Sequence, residues 1–186
     1  MKLNIIKLLI VGFAILTIHG CGTWVKPSGN SMTQSPDGSF KVKTPSGWML
    51  LSANNLLLMS VEGPDLQKIV AQKKDHEDAF ENIKKPSKAD MLASELAELT
   101  ISNLKAESSN LNIEVLSNQP VTIDNKEAFR VHMRFYNDRG LTLERIVYGL
   151  ADKKGFYRLI YQAPKIYYFS RSLNQFETVV KSFQRI

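Results

Sequence analysis

The chain has 186 residues, of which 44% are hydrophobic and 23% charged, a length that suits one domain with one core. Its formal net charge of +6 arises from 24 Lys and Arg against 18 Asp and Glu; this mild, interspersed excess suits an anionic surface and argues against a nucleic-acid binder. A single cysteine excludes an internal disulfide, so stability must come from burial, and a domain of this size can bury roughly two-thirds of its unfolded surface.

The amino terminus has the three parts of a secretory signal: Lys2 and Lys7, then an apolar run from Leu8 to Ile18, then small residues before a cut. The run is shorter than the roughly 20 residues a helix needs to cross a hydrocarbon core. Residues 18–21, Ile-His-Gly-Cys, resemble the lipobox of bacterial lipoproteins, in which a branched apolar residue and a small one precede a cysteine that receives diacylglycerol. His19 stands where Ala or Ser is usual, and a plain signal peptide with an unrelated cysteine is the alternative. A lone thiol exported to an oxidising envelope is chemically exposed, whereas an acylated one is spent. Residues 1–20 are therefore expected to be a lipoprotein signal and Cys21 the lipidated residue. Gly22 after the cysteine resembles the signal for delivery to the outer membrane, facing the periplasm.

The stretch that follows, "GTWVKPSGNSMTQSPDGS", is dense in Gly, Ser, Pro and Asn. It reads as a flexible tether over residues 21–38, reaching some 20–25 Å by random-coil scaling. A single domain is expected over residues 39–186. "SFKVKTPSGWMLL" gives two short strands broken at Pro45-Ser46-Gly47, and "NLLLMSVEGPDLQKIVAQKK" gives a hairpin around Gly63-Pro64-Asp65. "DHEDAFENIKKPSK" reads as a charged loop. Ser87-x-x-Asp90 looks like a capping box opening a helix through about Ala106. At 100° per residue, Leu92, Ala93, Leu96, Ala97, Leu99 and Leu104 share its apolar arc.

"NIEVLSNQPVTI" predicts a strand broken at Pro120, with a turn at Asp124-Asn125-Lys126. Three more strands are separated by Asn137-Asp138-Arg139-Gly140 and Asp152-Lys153-Lys154-Gly155, read as type I turns with a left-handed glycine. That geometry places Phe129, Val131, Met133, Phe135, Leu143, Val147, Leu159 and Tyr161 on one face. Arg130, His132, Arg134, Tyr136, Glu144, Ile146, Tyr148, Arg158 and Ile160 fall on the other. A closing helix follows, with Phe169, Leu173, Phe176, Val180 and Phe183 as its core stripe.

The lipobox, the tether, "SFKVKTPSGW", the mid-chain helix, "GFYRLIYQAP" and the closing "FETVVKSF" together resemble the PsbP and DcrB superfamily. The resemblance implies an α+β fold, an antiparallel β-sheet flanked by α-helices as in the PsbP-like α/β/α sandwich. Its members include photosystem subunits, assembly factors, import factors and envelope lipoproteins, so it implies no activity. Only Cys21 carries over as a site residue.

No nucleophile elbow, zinc-helix motif, phosphate loop or paired-cysteine motif is present. His76 within Asp75-His76-Glu77-Asp78 is weighed as a metal ligand against a solvated charged loop, and the loop is preferred; Trp48 is read as a core aromatic. No cofactor and no metal site is expected, and no enzyme activity. Arg130, His132, Arg134 and Arg158, beside Tyr148, have two readings. In one, their apolar stems cover the sheet with their heads in water; in the other they form a docking strip for an acidic partner or an anionic ligand. The expected function is a membrane-tethered, non-catalytic envelope module with a protein partner and no nucleic acid. The alternative is a carrier or sensor of a small anionic or amphiphilic ligand, which needs a deep apolar pocket.

Overall fold

A computed structural model describes residues 23–107, 112–136 and 140–186. The expected signal peptide, Cys21 and Gly22, and most of the first of the two tetrapeptide turns, lie outside the described residues. Two antiparallel sheets form: a small one of β1 (Met32–Gln34), β2 (Phe40–Lys43) and β10 (Gln184–Arg185), ordered β1-β2-β10. The large one holds β3 (Met49–Ala53), β4 (Leu56–Ser60), β5 (Lys68–Lys74), β6 (Glu114–Ile123), β7 (Lys126–Tyr136), β8 (Thr142–Asp152) and β9 (Gly155–Pro164). Its strand order is β3-β4-β5-β9-β8-β7-β6. Helix α1 (Ala93–Glu107) packs on one face over β6, β7 and β8, and α2 (Ser170–Ser182) on the other face against β9 and β2. The fold class expected from the sequence is the one observed.

The alternating apolar residues of the long strands make a separate core under each helix. Beneath α2, Trp48, Tyr148, Tyr161, Phe169 and Phe176 are buried together; beneath α1, Phe80, Phe129, Val131, Met133 and Phe156 are. The closing-helix stripe is core as expected, Phe176 being fully enclosed and stacked on Tyr161 at 5.5 Å. Pro120 does not break β6: that strand lies at the sheet edge, where a missing N–H is tolerated, and Pro120 pairs with Phe129. Asp124 and Asn125, at φ 49° and 57°, form a two-residue turn of the type that matches strand twist.

Further expectations are corrected. The proposed tether is partly domain: Val25 and Leu50 exchange backbone hydrogen bonds of 2.8 Å, and β1 pairs with β2. Ser35-Pro36-Asp37-Gly38 is a tight turn in that hairpin, with Gly38 N–H donating to Ser35 O at 2.9 Å. The boundary at residue 39 therefore moves toward the amino terminus. Ser87 does not cap α1; its hydroxyl meets His76 Nδ1 at 2.7 Å, while Leu92 N–H donates to Glu95 at 2.9 Å at the helix start. The charged loop contains two short 3₁₀ turns and a buried anchor, Phe80.

The last correction moves a whole strand face. Asp152 pairs directly with Gly155, so the β8–β9 loop is two residues long and lacks the extra bulge residue expected. A slip of one residue exchanges the two faces of a strand. Leu159 and Tyr161 therefore lie with Arg130 and His132, whereas Arg158 and Ile160 lie with Phe129 and Val131. The β7–β8 register is as expected, with Arg134 opposite Glu144.

Candidate functional site

The strip expected on one face separates in the structure. Arg130, His132, Arg134 and Tyr148 do share the face under α2, but each finds an internal partner. Arg130 Nε donates to Tyr148 Oη at 2.9 Å, and Tyr148 Oη donates to Glu177 on α2 at 2.6 Å. Arg130 also meets Glu177 at 3.5 Å. Burial, reinforced by Glu177, pushes the Tyr148 phenol above its ordinary value, so it stays a proton donor. His132 meets buried Glu144 at 2.9 Å, and Arg134 holds the other Glu144 oxygen with two donors at 3.0 and 3.1 Å. Arg134 reaches Glu114 as well, at 3.2 Å. The His132 ring lies parallel to Phe169, centroids 5.2 Å apart. These charges are paired within the fold, as buried charges must be. Glu177 and Glu114 were not assigned to this face from sequence, because one comes from a helix and the other from a strand whose register a bulge shifts.

Arg158, on the opposite face, keeps different company. Register partners there define three rows running across the strands. The middle row is apolar: Leu51, Leu58, Val70 and Ile160, on β3, β4, β5 and β9. One flanking row carries Lys68, Gln162 and Arg145; the other carries Gln72 and Arg158. Arg145 and Arg158 thus stand on either side of Ile160. Arg145 Nε donates to Gln162 at 2.8 Å, and Arg158 donates to Gln72 at 2.7 and 3.1 Å. Among the described residues neither has a carboxylate within 4.0 Å, and nor does Lys68.

All three cations are perturbed by where they sit. Burial pulls Arg145 and Arg158 below the ordinary guanidinium value, opposed by the more distant Glu107, and for Arg158 also by Glu81. Burial and the neighbouring Arg145 likewise lower Lys68, opposed by Asp65 and Glu107. A partly desolvated cation is costly without a carboxylate at ion-pair distance, and the lack of one among the described residues sets this group apart from the paired charges under α2. Arg145 was assigned no role from sequence, although its position gave a signal: it interrupts the apolar parity set by Leu143 and Val147.

Because α1 covers β6 to β8, the part of this face formed by β3, β4, β5 and β9 stays partly open, with Leu51, Leu58, Val70 and Ile160 all partly exposed. Where it meets α1, Arg145, Arg158, Asn103 and Glu107 line a cavity of about 40 Å³. That holds a water or two, far below the roughly 300 Å³ of a small-molecule site. The larger hollow at Asp37, Asn54, Lys73 and Asp75, about 480 Å³, is polar and open to solvent. His76 is tied between Ser87 and Asp152 O at 2.7 and 2.9 Å. Among the described residues no group of three His, Cys, Asp or Glu side chains is placed to hold a metal ion. Trp48 is core, its indole donating to Gln175 at 3.1 Å. No helix among the described residues is long and apolar enough to cross a membrane.

No family model matches this sequence, and no curated protein matches it. The fold does have solved counterparts. The solution structure of the cyanobacterial PsbP protein CyanoP from Synechocystis superposes with a TM-score of 0.63, at 10% identity, over 91% of this chain and 99% of that one. LpqN of Mycobacterium tuberculosis, described as involved in cell envelope biogenesis, gives 0.52 at 12% identity, over 83% and 89%. A point mutant of Mog1 gives 0.54 at 12% identity, over 84% and 96%. At such identities the likeness establishes the fold alone, and that fold is PsbP-like.

Proposed function

We propose that this protein is a lipid-anchored module of the bacterial cell envelope, held through Cys21, that binds a protein partner and performs no chemistry of its own. The observation that supports partner binding is the open half of the sheet: an apolar row flanked by Arg145 and Arg158, neither with an acid at ion-pair distance among the described residues. Surfaces of this kind, apolar at the centre with arginines beside it, are those enriched at protein interfaces. The small size of the adjoining cavity favours a macromolecular partner over a carried small ligand. PsbP-like folds, LpqN among them, are compatible with an envelope role, and the lipobox-like residues 18–21 with Gly22 favour the outer membrane facing the periplasm.

Formaldehyde cross-linking of the full-length chain in intact cells, followed by mass identification of attached proteins, tests this reading. A small reproducible set of envelope proteins is expected, recovered with the membrane fraction. Recovery of the chain free of any cross-linked protein would overturn it.

A further inference from the structure

Resting on that reading, we propose that the occupant of the open sheet half is an acidic amphipathic helix of the partner protein. Its apolar stripe lies along Leu51, Leu58, Val70 and Ile160, and a carboxylate sits between Arg145 and Arg158.

The dimensions of the surface favour a helix. The apolar row crosses four neighbouring strands, which at about 4.8 Å per spacing is roughly 14 Å, the rise of about nine or ten helical residues. Each flanking row lies two residues along the strands, about 6.6 Å away, so the track is roughly as wide as a helix with its side chains. α1 already packs on the adjoining half of this face over β6 to β8. A second helix there completes the layer. An added strand is excluded on geometry, since it needs the free backbone groups of a sheet edge, and this is a sheet face.

The charge comes from the two guanidiniums. Each has five N–H donors, and among the described residues the hydrogen bonds they make go to one glutamine oxygen each, Gln162 and Gln72. Arg145 and Arg158 repel one another across Ile160. A carboxylate between them relieves that repulsion and takes the remaining donors in charge-assisted bonds. The chain's own residues 1–22 do not fit, as they contain Lys2 and Lys7 and no acid.

The test places the photo-crosslinking residue p-benzoylphenylalanine at Val70 of the full-length chain in its native cells, with Ile166, 76% exposed at the β9–α2 turn, as a second position. Melting temperature is measured for each variant; if the Val70 variant is unstable, Leu58 replaces it. The expected Val70 adduct maps to a protein segment with apolar residues at i, i+3 or i+4, and i+7, and Asp or Glu beside them. Arg145→Gln with Arg158→Gln should lower that adduct at least about tenfold at unchanged melting temperature, since each charge-assisted bond removed is worth roughly that factor. An adduct with the mass of a phospholipid, with a second copy of this chain or with a segment lacking acids overturns the proposal, as does an adduct that the arginine changes leave intact. Protein adducts at Ile166 with none at Val70 overturn the helix site alone, and no protein adduct at either position overturns the interaction module too.

Discussion

Phe129 and Gly149 are direct partners across β7 and β8, and the phenyl ring occupies the space a side chain on residue 149 would need. A Cβ there would lie 2.5 Å from two ring atoms of Phe129 and 3.1 Å from Phe156. Phe129 is buried and stacked on Phe156, so the ring has little room to move. Gly149→Ala should destabilise the domain by about 1–3 kcal/mol through overpacking. A urea unfolding midpoint equal to wild type would show that this core has slack the structure denies.

On the other face, Phe176 is fully buried among Tyr148, Tyr161 and their neighbours. Phe176→Ala should cost roughly 3–5 kcal/mol by lost burial and a residual cavity. Denaturant unfolding checks it, and a loss below about 1 kcal/mol would mean that α2 is not held by this stripe.

Among the described residues the Tyr157 hydroxyl is buried without a hydrogen-bond partner. Burial, with Asp152 adding to it, pushes the phenol up to about 12, and burial alone raises Tyr161 to about the same value. An unfolded phenol ionises near 10. Both groups therefore favour the fold below pH 10, and that contribution is lost as pH rises from about 10 to 12, because the unfolded chain releases protons first. Tyr157→Phe removes an unsatisfied hydroxyl, so stability at pH 7 should be unchanged or higher by up to about 1–2 kcal/mol, with a shallower alkaline decline. A lower stability at pH 7 would reveal a partner for that hydroxyl.

The strand order of the second half, the closing-helix stripe and the Arg134–Glu144 pair were all legible in the sequence, since each rests on spacing within one element or across one loop. The face of β9 was not. Asp152-Lys153-Lys154-Gly155 fits either a two-residue or a bulged loop, and that choice moves Arg158 from one face to the other. The Arg145–Gln162 pair was lost with the same choice, since it exists only in the register the two-residue loop sets. A pairing between distant elements was also beyond reach: Glu177 meets Arg130 because α2 folds back over the sheet. "SPDG" was a readable turn, passed over because the composition around it resembled a linker.

Cys21 is the residue on which the proposed anchoring depends. Several acyl chains at about 0.8 kcal/mol per buried methylene should hold the protein in the membrane. Cys21→Ala should release it to the soluble fraction or stall its processing, as seen by fractionation and by intact mass. A wild-type protein found soluble with an unmodified thiol would contradict the anchor.

Arg145 and Arg158 face the partner, and Arg130 holds the fold. The most direct measurement compares cross-linked partner recovery and melting temperature for two variants, Arg145→Gln with Arg158→Gln, and Arg130→Ala. The first should lose the partner at unchanged melting temperature. The second, which leaves Tyr148 and Glu177 without their arginine, should melt lower and keep the partner. Partner loss in Arg130→Ala at unchanged melting temperature, with full recovery in the double variant, would place the docking surface on the other face of the sheet and contradict the account.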